Sequence, residues 1–262
     1  MQINYYADLL KIRNTKPLVH HITNYVVMNV SANITLSLGA SPVMAHAKPE
    51  VEDMVSIARV FYINIGTLSD HWIDAMLLAG KTANKKNVPV LLDPVGAGAT
   101  KYRTETAKRI LKEVKVDVLK GNAGEMQSLA GAKVHVKGVD SVTSAGIETA
   151  ETLAKKYGLV AVVTGKQDHV SDGKRSAVVN NGTDMFSRIT GAGCMLGSVI
   201  ASFMAVNNDY FISSIEGLAS FNIAGEKAAA KTGLPGSFMT ALIDEISLLN
   251  EDTYKLAHII IH

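Results

Sequence analysis

The sequence is poor in cysteine: Cys194 stands alone among 262 residues, which excludes an intrachain disulfide and any cysteine cluster for zinc. It also lacks an excess of charge. Lys and Arg number 26 against 24 Asp and Glu, and they are scattered, so there is no electrostatic footprint for nucleic acid. No Pro-rich or Gly/Ser-rich stretch divides the chain and no fixed-period repeat is visible, so residues 1–262 read as one domain. The stretch from Met1 to Leu10 carries an aspartate and two tyrosines where a secretory signal needs a basic start and an apolar run, so a cytoplasmic location is expected. Two segments free of Asp, Glu, Lys and Arg, Val19 to Ala47 and Ile189 to Asn208, are interrupted by Asn, Ser, Thr and Gly. A membrane span needs about 20 predominantly apolar residues, so these read as core or site segments.

What the chain does have is apolar material, 47% of its residues, enough for a large core. Short β-rich runs, Val60 to Ile65, Val88 to Leu92, Val116 to Leu119 and Leu159 to Val163, alternate with helical segments. The helices are expected over Asp70 to Asn84, Thr104 to Val114, Gly124 to Ala130 and Thr143 to Tyr157, the last capped by Thr143. This alternation predicts an α/β fold, a mainly parallel central sheet with helices on both faces. Hairpin-like turns are expected at Ser171-Asp172-Gly173 and at Asn181-Gly182. Beyond Phe186 the chain should be almost wholly helical, over Ala192 to Val206, Tyr210 to Lys231 and Ser237 to Leu249. The four apolar runs end at Gly66-Thr67, Asp93-Pro94, Lys120-Gly121-Asn122 and Thr164-Gly165. In open α/β sheets ligands bind at the carboxyl ends of strands, so polar residues and glycines gathering there point to one shared site.

The sharpest motif is Thr190-Gly191-Ala192-Gly193-Cys194 leading into an apolar helix. Glycines there let several amide hydrogens converge at a helix start, where the dipole favours an anion. The same glycines would also serve an unliganded strand-to-helix turn. A Walker-type GxxxxGK[ST] is absent, and the third glycine of a dinucleotide fingerprint falls one residue late, at Gly197. Asp93 after one strand and Glu125 three residues after Asn122 are hard oxygen donors of the kind magnesium takes. Taken singly, an Asp before Pro is equally a turn residue and an early helical Glu equally complements the dipole.

Together these motifs resemble the ribokinase-like superfamily and, within it, the hydroxyethylthiazole kinases of thiamine salvage. The resemblance runs over nearly the whole chain, through His21-Ile22-Thr23-Asn24-Tyr25-Val26, Gly39-Ala40-Ser41-Pro42-Val43-Met44, Asn64-Ile65-Gly66-Thr67, Leu92-Asp93-Pro94-Val95-Gly96-Ala97-Gly98, Lys120-Gly121-Asn122-Ala123-Gly124-Glu125 and the Gly191-Ala192-Gly193-Cys194 turn. It implies a ribokinase-like three-layer sandwich that uses ATP and Mg2+ to phosphorylate the hydroxyl of a thiazole alcohol. It places Met44 and Gly191 against the substrate with Asn24, Val26 and Gly66 nearby. Lys120, Thr164 and Asn122 would meet ATP, and Asp93 and Glu125 would hold magnesium. The turn Gly191, Ala192 and Gly193 would form the anion hole, with Cys194 beside the reacting hydroxyl. Most sugar and pyrimidine kinases of the superfamily carry aspartate after the glycines, where the thiazole kinases resemble this chain in carrying cysteine. The family commonly has arginine at the position of Lys120; lysine keeps the charge but not the planar fork. A homotrimer with sites between subunits is implied as well.

A helix start also eases proton loss from a thiol, which would favour Cys194 as a base, whereas nearby phosphates would oppose it. Other readings stay open, namely hydroxymethylpyrimidine or sugar phosphorylation on the same fold and a non-catalytic sensor of thiazole or nucleotide. His20 and His21, expected just ahead of the first helix, read as hydrogen-bonded structural residues because no third ligand is evident. Asn29 and Asn33 share a helix face and carry no assigned chemistry. Asn222, Gly225 and Glu226 lie in an Ala-rich helix whose small residues suit close packing.

Overall fold

The computed structural model describes residues 5–131 and 140–262. Among the described residues, β1 (Leu18–Ile22), β2 (Ser41–Val43), β3 (Val60–Asn64), β4 (Val90–Asp93), β5 (Val118–Asn122), β6 (Val160–Thr164), β7 (Asp168–Ser171), β8 (Ser176–Val179) and β9 (Ile259–Ile261) form one sheet. Their order is β2-β1-β3-β4-β5-β6-β7-β8-β9. Pairing is parallel from β2 across to β6 and antiparallel from β6 to β9. The helices are α1 (Tyr5–Thr15), α2 (Met28–Leu38), α3 (Val51–Ile57), α4 (Asp70–Lys86), α5 (Lys101–Glu113), α6 (Ala123–Ala130), α7 (Asp140–Tyr157), α8 (Ala192–Met204), α9 (Tyr210–Lys231) and α10 (Pro235–Ser247).

Successive strand residues point to opposite faces, so each central strand feeds two cores. On β3, Val60 and Tyr62 pack with α1, α2, α8, α9 and α10, while Phe61 and Ile63 pack with α3 to α7. Burial on both sides is why these strands read as continuous apolar runs. The result is the expected three-layer α/β arrangement. No described helix is long and apolar enough to cross a membrane.

Several boundaries moved for identifiable reasons. Helix α4 continues to Lys86, where Asn87 takes the left-handed φ of 57° that ends it. Helix α5 starts at Lys101 because the Thr100 side chain accepts the Arg103 amide at 3.2 Å. Helix α7 already includes Asp140, the first described residue of this stretch, so Thr143 lies inside the helix and does not open it. Helix α10 starts two residues early, with Pro235 in the first turn, where a missing amide costs nothing. The Ser171-Asp172-Gly173 turn does join β7 to β8, but no hairpin forms at Asn181-Gly182. There the Asn181 amide is held by Leu256 O at 2.9 Å, and the open edge of β8 is taken by the C-terminal β9. That strand corrects the all-helical expectation for the last third. His20 and His21 do not precede the first helix: α1 comes before them, and both lie within β1.

The core side of α9 buries a carboxyl group away from the sheet's carboxyl edge. Glu216 is buried near Asp8, which itself pairs with Lys11 and accepts Asn207 Nδ2 at 2.7 Å. Burial, and then the Asp8 charge, push the Glu216 carboxyl from 4.5 up to about 9. An acid whose folded value is raised contributes stability that is fully present below its unfolded value and is lost as pH rises through the folded one. Glu216 should therefore destabilise the fold by roughly 1.4 kcal/mol per pH unit as pH climbs toward its folded value. Denaturant unfolding at pH 7 and pH 9 should show a fall in stability for the wild type that is clearly smaller in Glu216→Gln; equal falls would show that Glu216 does not titrate in this range.

Candidate active site

The sheet's two-residue alternation assembles the site. Tyr62 belongs to the α8-side core, so Asn64, two residues on, shares that face. Asn64 pairs in register with Asp93 across β3 and β4. Val118 also lies in the α8-side core, which places Lys120 on the same face of β5, level with Val162 on β6. Thr164 ends β6 opposite Asn122. Side chains from adjacent strands thus meet at the carboxyl ends, beneath the start of α8.

That helix start is held by geometry only glycine fits. Gly191 has a φ of 81°, and a Cβ there would come within 2.6 Å of Val27 Cγ1. The first bond of the helix runs from Met195 N to Gly191 O at 2.8 Å, and no side chain caps the turn. The amides of Ala192, Gly193 and Cys194 precede that bond, so they are available to an anion. Behind them α8 is buried from Cys194 to Met204, which fixes where this end can point.

One polar network connects the turn to the sheet. Lys120 Nζ donates to Asp93 Oδ2 at 2.9 Å and to Gly193 O at 2.8 Å, with side chains only 3% and 2% exposed. Tyr62 Oη lies 3.2 Å from both Asp93 Oδ2 and Cys194 O, sharing its one proton between them. The Asn64 amide reaches Cys194 Sγ at 3.2 Å and Asp93 Oδ2 at 3.3 Å. Asn24 Nδ2 donates to Asn64 Oδ1 at 2.8 Å and lies 3.7 Å from Cys194 Sγ. Gly66 closes the group: its amide donates to Asn64 Oδ1 at 3.0 Å, and a Cβ there would stand 2.5 Å from Asn24 Nδ2.

Charge states follow from this packing. Burial draws Lys120 down, but the neighbouring acidic groups, Asp93 foremost with Cys194 and Glu125, together more than reverse it, so the ammonium is held above the ordinary lysine value. Burial pushes Asp93 up, opposed by Lys120. Burial, and then the Asp93 charge, push the Cys194 thiol up to about 11. The eased proton loss expected at a helix start is therefore overturned, because desolvation and a neighbouring anion outweigh the dipole. His21 is driven down to about 3 by burial, with Nε2 3.2 Å from Ser198 Oγ; His20 falls to about 4 with Nε2 2.7 Å from Ala45 O. Both are neutral, hydrogen-bonded members of the core.

Of the residues singled out from the sequence, Asn24, Gly66, Asp93, Lys120, Gly191, Gly193 and Cys194 come together, and Val26 joins through its amide on Asn24 Oδ1 at 3.1 Å. Asn122 and Glu125 form a capping box, and Glu125 Oε1 also accepts the Gly96 amide at 2.8 Å, tying the loop after β4 to α6. Thr164 Oγ1 donates to Gly121 O at 3.3 Å. Behind it Asp168, pushed up to about 6 by burial, accepts the Gly165 amide at 3.1 Å and Asn222 Nδ2 at 2.7 Å. Asn222 therefore has a polar partner as well as close packing. Met44 stands apart, just beyond the edge strand β2. Among the described residues no group of three or more His, Cys, Asp or Glu is placed to hold a metal.

Residues missed from the sequence are Tyr62, Asn64 and Arg103. Asn64 had a signal, a polar residue ending an apolar strand. Tyr62 looked like core. Arg103 had none: from α5 it clamps two loops, donating to Val95 O at 2.8 Å and to Gly66 O at 2.7 Å.

The hydroxyethylthiazole kinase family model matches residues 9–252. The hydroxyethylthiazole kinase of Caldivirga maquilingensis is 57% identical over 253 residues, covering 96% of this chain and 95% of that protein. The structure of a hydroxyethylthiazole kinase from Pyrococcus horikoshii superposes with a TM-score of 0.93 at 40% identity, covering 98% of each chain. A ribokinase-like superfamily protein from Enterococcus faecalis shares the fold, with a TM-score of 0.65 at 14% identity over 88% of this chain and 86% of that one.

A buried thiol pushed far above its free value should resist alkylation. At pH 8, iodoacetamide should modify native Cys194 roughly a hundredfold more slowly than the denatured chain, read by intact mass. Comparable rates would show that the thiol is neither buried nor raised.

Proposed function

The chain belongs to the hydroxyethylthiazole kinase family, and on that premise we propose that it transfers the γ-phosphoryl group of ATP to the hydroxyl of 4-methyl-5-(2-hydroxyethyl)thiazole. The observation that carries this reading is the unbroken hydrogen-bond path from Asn24 through Asn64, Asp93 and Lys120 to Gly193. It sets a thiol, a cation and a carboxylate around one helix start. The amides of Ala192, Gly193 and Cys194 would take the transferring phosphoryl oxygens, and Lys120 would neutralise charge beside them. Gly191 and Gly66 let backbone approach the acceptor, with Asn24 and Val26 on the same side. Thr164 and Asn122 lie on the nucleotide side of Lys120.

The residues present also fit a hydrated magnesium ion, which takes one or two carboxylates and keeps several waters. Each hydrogen bond found on the Asp93 carboxylate falls on Oδ2, which leaves Oδ1 uncommitted among the described residues. Both Glu125 oxygens serve backbone amides, so Glu125 would reach the ion through water. Held by Asp93, and by Glu125 through water, the ion would supply positive charge to offset that of the phosphates.

At neutral pH a thiol raised to about 11 keeps its proton, so Cys194 orients the acceptor hydroxyl and does not deprotonate it. The alcohol oxygen bonds to the γ-phosphorus as the bond to the bridging oxygen breaks. That electron pair leaves on ADP, and the hydroxyl proton passes late to a phosphate oxygen. Positioning and charge stabilisation supply most of the acceleration. The whole chain would act as one catalytic domain in the cytoplasm. Met44 lies beyond the edge strand and outside the network; in the homotrimer that the family resemblance implies, a neighbouring subunit would complete the site.

Magnesium-ATP offered with each alcohol in turn tests the reading by product mass. The thiazole alcohol should gain one phosphate; faster turnover of a hydroxymethylpyrimidine or a sugar would reassign the acceptor, and binding without turnover would indicate a sensor. Cys194→Ala should retain activity within about threefold, below the usual general-base effect. Lys120→Met should lose roughly a hundredfold or more in kcat. A large loss in the first variant with a small one in the second would reverse the assignment.

A further inference from the structure

The row of polar side chains at the strand ends runs one strand further than the proposed chemistry uses. Val162 and Val170 pair across β6 and β7 in the α8-side core, so Thr164 and Asp168, each two residues nearer the connecting turn, share that face. Asn64, Asp93, Lys120, Thr164 and Asp168 thus come from five neighbouring strands, β3 to β7. Asp168 is 5% exposed, and each of its oxygens has a partner. Oδ1 accepts the Gly165 amide at 3.1 Å, and Oδ2 accepts Asn222 Nδ2 from α9 at 2.7 Å.

Between Thr164 and Asp168 runs the turn Gly165-Lys166-Gln167, in which Gly165 and Lys166 are exposed. It is pinned at both ends. Asp168 ties Gly165 to α9, and Gln167 Nε2 donates to Asn180 Oδ1 at 2.7 Å, just past β8. Closing a tight turn does not require a buried carboxyl group, since an exposed Asn or Ser offers an acceptor without the desolvation. The cost shows in Asp168 itself: burial pushes its carboxyl up to about 6, against the bonds from Asn222 and Gly165 and the charge of Lys120. Other charges stand away from it. Helix α8 carries none, and β8 presents Val179 opposite Asp168. His169 turns to the other face, against Gly146 of α7. On α9, Glu226 is taken by Asn181 and Gly182, and Lys227 by Glu245.

We propose that Asp168 is a positioning residue for the nucleotide, its carboxylate holding the turn after β6 in the shape that receives ATP. The inference rests on the kinase reading above, in which Thr164 meets ATP. Ligands of open α/β sheets bind outside the carboxyl ends of the strands, and this turn stands there, near enough to Lys120 for its charge to act on Asp168. An ionised carboxylate accepts both bonds. Once it is protonated, one oxygen presents a hydrogen to an N–H donor and that bond is lost. A turn held before ATP arrives spares the cost of ordering it on binding, which acts on affinity and not on the chemical step.

Steady-state kinetics with magnesium-ATP and the thiazole alcohol, together with calorimetric titration of magnesium-ATP alone, test this in Asp168→Ala and Asp168→Asn. Asp168→Ala should raise KM and Kd for ATP roughly tenfold, the worth of one lost hydrogen bond to a charged group, with kcat and KM for the alcohol close to wild type. Asp168→Asn keeps both bonds once the Asn222 amide turns over, so at pH 7.5 it should bind ATP within about threefold of wild type. Wild type should lose ATP affinity as pH falls from 7.5 to 5.5, and Asp168→Asn, which has no proton to take up, should lose much less. Unchanged KM and Kd for ATP in Asp168→Ala, an equal rise in KM for the alcohol, a fall in kcat at constant KM, or the same pH dependence in wild type and Asp168→Asn would each overturn the proposal. Should Asp168→Ala not fold, the pH comparison with Asp168→Asn decides alone. If wild type binds magnesium-ATP without phosphorylating the alcohol, the kinase reading falls, while the titrations still decide whether Asp168 prepares the turn. Absence of ATP binding would take the proposal with it.

Discussion

The buried ion pair between Lys120 and Asp93 is the interaction on which the site depends. Taking both charges out of water is costly, and their attraction offsets that cost only when the geometry is good and further hydrogen bonds are made. Here those bonds exist: Gly193 O accepts from the lysine, while Tyr62 and Asn64 donate to the carboxylate. Leaving either charge unpaired would cost about 3–5 kcal/mol. The pair therefore fixes β4, β5 and the turn before α8 relative to one another. It also sets a positive and a negative charge side by side under that turn.

A second constraint comes from the sheet. Because its central strands are buried on both faces, their ends are the places where polar side chains can gather without a large desolvation cost. The α8-side face supplies Tyr62, Asn64, Asp93, Lys120 and Thr164 from neighbouring strands. Burial of these groups has a chemical consequence. It holds the cysteine as a thiol and the histidines of β1 as neutral rings at neutral pH.

Strand-terminal residues were the most legible part of the chain. Asp93, Lys120, Asn122 and Thr164 each follow an apolar run that ends in a glycine or polar residue, and Gly191 and Gly193 mark a helix start. Less legible were elements whose signal is ambiguous locally. Strand β1 contains adjacent histidines that read as polar and proved to be buried. Strand β9 is short and terminal, and it forms because β8 leaves an edge open. Thr143 has the chemistry of a helix cap, yet three further residues ahead of it continue the helix. Arg103 could not be found at all, because its partners are backbone carbonyls, two of them, Ile65 and Gly66, in a loop remote from it in sequence.

By itself the sequence determined the layer architecture and the chemical inventory, since hydrophobic periodicity and glycine placement are local properties of the chain. It also carried the family resemblance, because the motifs are contiguous stretches of the chain. The tertiary structure alone decided which charge meets which. That Lys120 neutralises Asp93, that Cys194 stays protonated and that Asp168 meets Asn222 depend on strand register and on burial. Both are set by contacts between residues far apart in the chain, and no local pattern encodes them.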